Sequence, residues 1–170
     1  MDLWAYHAQR FHVQAAWDAN VREDARENVQ PTVGIIPFRY ASGQLQVALS
    51  FRHGTSRLRD VWGAAGGWVE RGESIVDAAI RELCEETGYL TARFRLSLVG
   101  FEPGTTDEKP PRHYLTASFG VELPEGVHLA TTEPRKHGPW TFFTIAEAIK
   151  LPLLPNFDLS LRHLERHLTK

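Results

Sequence analysis

Three carboxylates, Glu82, Glu85 and Glu86, stand in the run Arg81-Glu82-Leu83-Cys84-Glu85-Glu86-Thr87-Gly88, at spacings that a helix gathers on one side. At about 100° per residue, with Glu82 at zero, Glu85 falls near about 300° and Glu86 near about 40°, an arc of about 100°. Val76, Ile80, Leu83 and Thr87 cluster elsewhere on the same wheel and form a separate buried face. Like charges at i, i+3 and i+4 cost helix stability, and near a helix C-terminus they also oppose the dipole. A segment shaped by folding alone would tend to avoid them. Oxygen-rich sites suit hard divalent cations such as Mg²⁺ or Mn²⁺, which favour carboxylate and carbonyl ligands and often bridge to substrate phosphates. A solvated acidic face is the ordinary reading of a Glu-Glu pair, so the surrounding pattern has to decide.

Upstream stands Gly67-Trp68-Val69-Glu70-Arg71-Gly72-Glu73, followed by Ser74 with Asp77 three residues on, a capping-box pattern. The spacing predicts a helix from Ser74 as N-cap through Ile75 to Thr87, closed by Gly88. Read together, residues 67–89 are a glycine, five residues, Glu, seven residues, then Arg-Glu-apolar-x-Glu-Glu-x-Gly. This resembles the signature of the Nudix hydrolases, with Gly67, Glu73, Arg81, Glu82, Leu83, Glu85, Glu86 and Gly88 all in place. Tyr89 stands where that family commonly has an aliphatic residue, and Ala65 where it usually has proline before the paired glycines. Trp62 and the stretch Trp140-Thr141-Phe142-Phe143-Thr144 extend the likeness to about residues 32–150.

The resemblance implies an α/β fold, an α/β/α sandwich around a mixed sheet. It implies metal binding, by Mg²⁺ or Mn²⁺, at Glu82, Glu85, Glu86 and the main-chain carbonyl of Gly67. Arg81 would pair with Glu73 to hold the loop on the helix, and Glu73 and Gly88 would be structural. The implied reaction is attack of water on one phosphorus of a diphosphate linkage, with Glu82, Glu85, Arg81 and Glu108 as the catalytic set. Whether Glu82 is a ligand alone or also the general base stays open.

The family's substrates are mostly nucleoside diphosphates linked to another moiety. Phe101-Glu102-Pro103-Gly104-Thr105-Thr106-Asp107-Glu108 resembles the Pro-Gly turn and acidic loop of ADP-ribose pyrophosphatases, where a carboxylate outside the box serves as base. Asp107 or Glu108 would take that part; an ordinary hairpin turn is the competing reading. ADP-ribose or a related sugar nucleotide is therefore favoured, with nucleoside triphosphates, dinucleoside polyphosphates and a non-catalytic ligand sensor as alternatives. Arg52, Arg57 and Arg59 are candidate donors to substrate phosphates. Trp68 and Tyr114 are read either as base-stacking or as core aromatics. His163 and His167 share i, i+4 spacing but lack a third ligand, and are read as exposed polar residues.

The elements that must position these groups are those of one domain, residues 31–170, preceded by an appendage over 1–30. In the appendage, Trp4, Ala8, Phe11 and Ala15 fall at helical spacing. Strands are expected over 32–38 and 44–51, joined by a turn at Ser42-Gly43, and again over 94–101, 113–123 and 140–143. A last helix begins at Asn156 as cap, with Phe157, Leu161, Leu164 and Leu168 on one stripe.

The chain has 170 residues, 42% hydrophobic and 24% charged, with a net charge of -2. Such a balance excludes a nucleic-acid coat and leaves a small-molecule nucleotide as partner, with room for a homodimer. One cysteine, Cys84, excludes an internal disulfide framework, and no apolar run reaches the length of a membrane span. No signal peptide is read at the start, so the cytoplasm is the expected compartment. The acids are concentrated: Glu70, Glu73, Asp77, Glu82, Glu85 and Glu86 face only Arg71 and Arg81, and the remainder is slightly basic.

Overall fold

The computed structural model describes residues 12, 13, 15, 29–53, 58, 60–89, 96–106, 109 and 111–169. The apolar run Val33-Gly34-Ile35-Ile36-Pro37-Phe38 lies in β1 (Val29–Ala41), and it is buried on both sides. Val33 and Ile35 point into one core cluster, Ile36 and Phe38 into the other, as alternation along a central strand requires. β2 (Gln44–Arg52) follows through a two-residue turn whose Ser42 and Gly43 have φ of 51° and 76°. Positive φ at both positions matches the right-handed twist of a tight hairpin. Leu45, Val47 and Leu49 of β2 turn to one cluster, the face expected from their alternation.

The remaining strands are β3 (Val61–Gly63), β4 (Ala65–Trp68), β5 (Leu96–Thr105), β6 (His113–Glu122) and β7 (Thr141–Thr144). They form a seven-stranded sheet of order β3-β2-β1-β6-β5, with β4 also paired to β1 and β7 to β2. β1 and β6 are parallel and the other pairs antiparallel, so the sheet is mixed.

One face carries α1 (Ile75–Thr87), which buries Val76, Ala79 and Leu83 against Val33, Ile35, Ala117 and Phe119. The other carries α2 (Ile145–Ala148) and α3 (Phe157–Leu168), which bury Ala148, Leu161 and Leu164 against Ile36, Phe38, Val47 and Leu49. Helices on both faces of a mixed sheet make the expected α/β/α sandwich. No helix among the described residues is long and apolar enough to cross a membrane.

α1 has the predicted bounds. Ser74 Oγ accepts the Asp77 N–H at 3.1 Å, and Gly88, with φ of 63°, closes the helix by donating to the Cys84 carbonyl at 2.9 Å.

The glycine-rich stretch before α1 carries no strand signal in its sequence, because it lacks apolar alternation, yet β3 ends at Gly63 and β4 runs over Ala65–Trp68. Three expectations are corrected. Pro103 and Gly104 are not a turn: they lie inside β5, opposite Leu115 and Tyr114. Proline is tolerated there because β5 is an edge strand, and its missing N–H breaks no ladder bond. Asn156 does not cap α3 with its side chain; it takes φ of 62° and its amide donates instead to the Pro103 carbonyl at 2.8 Å. Of the N-terminal stripe only Ala15 is described, and it is helical but exposed, whereas Val13 is buried in the α1-side core.

Candidate active site

Arg81 organises the acidic end of α1. Its Nε and Nη2 donate to the two oxygens of Glu73 at 3.0 Å each, and Nη2 also reaches the Trp68 carbonyl at 3.0 Å. Its Nη1 donates to Glu82 at 2.7 Å and Glu85 at 3.2 Å. A planar five-donor group can tie a loop to a helix and offset stacked carboxylates at once. The Arg81 hydrogen bond holds the Glu73 carboxyl below its ordinary range, and the same bond raises Arg81. Burial pushes Glu82 up; the charges of Glu86 and Glu85 add to this, and the bond from Arg81 opposes it.

Glycine at 67 is a matter of space. A Cβ there would run into the Glu82 carboxylate, which lies directly on the Gly67 backbone. Glu86 is 5% exposed; its Oε2 accepts the Gly66 N–H at 3.2 Å, and its Oε1 lies 3.3 Å from His137 Nε2. Glu85 is the exposed member of the three. The donor chemistry fits a divalent cation: three carboxylates at one end of α1 beside the Gly67 backbone, with the Arg81 guanidinium on two of them. Ligand atoms from Glu86, Glu133 and His137 lie within 4.8 Å of one another, whereas Arg81 engages Glu82 and Glu85.

Beyond Gly66 and Gly67 opens a cavity of about 370 Å³, the size of a small-ligand site. Arg52 lines it with a buried Nε that has no hydrogen-bond partner. Trp68 and Tyr114 form an edge-to-face pair on its wall at 6.0 Å, with Trp68 44% exposed, and the Tyr114 ring lies over Gly104. These two aromatics are thus neither fully core nor isolated.

The inner wall is polar. Buried Glu102 accepts the Ser118 hydroxyl at 2.5 Å and meets His163 Nδ1 at 3.1 Å, and Ser118 lies 3.1 Å from the Ser160 hydroxyl. His163 is therefore not an exposed polar residue, since it reaches back across the sheet edge to Glu102; His167 is exposed as expected.

Arg57, Arg59, Asp107 and Glu108 lie outside the described residues. Sequence reasoning missed Glu102, Ser118, Glu133 and His137. The lone Glu102 between Phe101 and Pro103 was a signal, because a carboxylate in an apolar strand needs a partner; nothing in 131–137 marked Glu133 and His137.

Family comparison agrees with this geometry. The profile of the NUDIX domain matches residues 28–166. The chain belongs to the NUDIX family. Among its NUDIX relatives, the m7GpppN-mRNA hydrolase NUDT17 of Xenopus laevis is 35% identical over 71 residues, 39% of this chain and 24% of that protein. The chain thus matches about a quarter of that relative's length.

The NUDIX domain of Shewanella oneidensis NrtR complexed with ADP ribose superposes with a TM-score of 0.67 at 18% identity, covering 91% of this chain and 97% of that one. The Ap4A hydrolase of C. elegans gives 0.62 at 21% identity, covering 82% and 98%. At these identities the likeness establishes the NUDIX fold.

Proposed function

We propose that this NUDIX domain is a divalent-metal-dependent pyrophosphohydrolase. Its substrate is a nucleoside diphosphate derivative, with ADP-ribose or a related sugar nucleotide favoured, cleaved to a nucleoside monophosphate and a phosphorylated product. The observation that carries this reading is the gathering of Glu82 and Glu85 on the Arg81 guanidinium and of Glu86 on the Gly66 N–H, at the edge of a nucleoside-sized cavity lined by Gly66 and Gly67. The ligand named for the Shewanella domain supports the choice of ADP-ribose.

Glu82, Glu85, Glu86 and the Gly67 carbonyl would hold Mg²⁺ or Mn²⁺. Such a cation neutralises phosphate charge and makes bound water more acidic. Arg81 keeps the loop and helix in register, so that the carboxylates face the Gly67 backbone. Arg52, with its idle Nε, is placed to donate to a substrate phosphate. Trp68 and Tyr114 offer ring edges and faces to a base. Glu82, whose burial raises its proton affinity, is the box residue best suited to take the proton from the attacking water. The lone Cys84 fits a reducing compartment such as the cytoplasm.

The test is a product screen with Mg²⁺ or Mn²⁺ against ADP-ribose, NADH, sugar nucleotides, dinucleoside polyphosphates and nucleoside triphosphates. ADP-ribose should yield AMP, and its failure to do so removes the favoured substrate. Glu82→Gln and Glu86→Gln should each lower kcat by about 10²-fold or more while the unfolding temperature stays within a few degrees. Full activity in either variant would remove that carboxylate from the metal site.

A further inference from the structure

The segment between β6 and β7 brings a nitrogen ligand to the acidic box. His137 is 2% exposed, and neither ring nitrogen has a hydrogen-bond partner. Buried polar atoms left idle are costly, so an imidazole in this state points to something that completes it. Its Nε2 lies 3.3 Å from Glu86 Oε1 without hydrogen-bond geometry. Two ligand atoms each about 2.1 Å from one ion, at about 90–110°, lie about 3.0–3.4 Å apart, so this separation suits a shared cation.

The neighbours hold both groups in that relation. Glu86 Oε2 is fixed by the Gly66 N–H, which leaves Oε1 turned to His137. Trp140 lies parallel to the imidazole, 6.4 Å between centroids at 14°, and its Nε1 donates to the Glu86 carbonyl at 3.3 Å. The third atom comes from the same turn as His137. Glu133 caps that turn with its carbonyl, which accepts the N–H groups of Lys136 at 2.9 Å and His137 at 3.0 Å. Its carboxylate lies within 4.8 Å of the other two ligand atoms. Lys136 takes only its Oε1, at 2.7 Å.

We infer that Glu86, Glu133 and His137 together bind one first-row transition-metal dication, so that the metal centre of this chain selects Mn²⁺, Co²⁺ or Zn²⁺ over Mg²⁺. Imidazole nitrogen suits those ions, while Mg²⁺ is held by oxygen and keeps its waters. The inference rests on the metal-dependent reading above and narrows it. The box carboxylates supply part of the shell, and the segment before β7 supplies the selectivity.

The experiment is Mn²⁺ binding to the metal-free full chain without nucleotide, followed by calorimetry and pulsed electron paramagnetic resonance. Bound Mn²⁺ should show ¹⁴N coupling in the wild type and lose it in His137→Gln. The preference for Mn²⁺ over Mg²⁺ should fall about tenfold in that variant, the lower end of effects on metal affinity from groups around such sites. Glu133→Gln should weaken Mn²⁺ binding and keep the ¹⁴N coupling.

Bound Mn²⁺ with no ¹⁴N coupling in the wild type overturns the inference and leaves metal-dependent hydrolysis standing. Absence of any Mn²⁺ binding overturns both. Nitrogen coupling in a chain that hydrolyses no phosphoanhydride supports the site and sinks the hydrolase reading. Should His137→Gln fail to fold, the wild-type spectrum still decides, because no other histidine among the described residues joins such a cluster.

Discussion

Arg81 meets Glu73, Glu82, Glu85 and the Trp68 carbonyl with one planar fork, so its replacement by another cation is not conservative. Arg81→Lys keeps the charge but can satisfy only part of that set. It is expected to lower the unfolding midpoint by several degrees and kcat by more than tenfold, measured by thermal melts beside steady-state kinetics. An unchanged kcat would remove Arg81 from the positioning of the carboxylates.

The same contact gives a pH dependence with a definite sign. Bonding to Arg81 lowers Glu73 from its ordinary value of 4.5, so the folded state binds its proton less readily than the unfolded chain does. The contribution is fully present above about 4.5 and is lost as pH falls through the lowered folded value. Melts between about pH 5 and 2 should show a loss of stability that is smaller in Glu73→Gln.

At the level of elements, the helix that bears the carboxylates is set by its two ends. Removing the Ser74 hydroxyl leaves the Asp77 N–H without its cap, and Ser74→Ala should cost about 1 kcal/mol by urea titration. A cost near zero would mean that the loop from Glu70 to Glu73 alone fixes where the helix begins.

These ends were legible because capping is local chemistry, written within four residues. β3 and β4 were not, because their glycines are dictated by what approaches from elsewhere: the Val33 carbonyl at Gly66 and the Glu82 carboxylate at Gly67. Pro103 read as a turn for the opposite reason. Its residue type favours turns locally, and only its place on a sheet edge, with Asn156 on its carbonyl, makes an extended conformation hold. The box carboxylates were visible by spacing. His137 and Glu102 were not, because their partners lie 51 residues away at Glu86 and 61 away at His163.

Across the molecule, the sheet separates two apolar clusters, one under α1 and one under α2 and α3. Leu83 and Leu164 are fully buried, one on each side. Leu83→Ala and Leu164→Ala should each cost about 2–5 kcal/mol in equilibrium unfolding, and the double variant should approach the sum. Strong non-additivity would show that the two faces are coupled through the sheet. Leu83 lies in α1 between Glu82 and Glu85, so its loss is expected to reduce activity as well, whereas Leu164 should act chiefly on stability.

The parallel pairing of β1 with β6 joins residues 84 apart, with Val29 opposite His113 and Thr32 bonded to Thr116. During synthesis the acidic helix is complete roughly 35 residues before β6 is, which is about 2–7 s at about 5–20 residues per second. For that interval β1 offers an open strand edge, and α1 has only part of the sheet to cover. A chain stalled there is a substrate for chaperones and for pairing with another nascent chain before its sheet is complete.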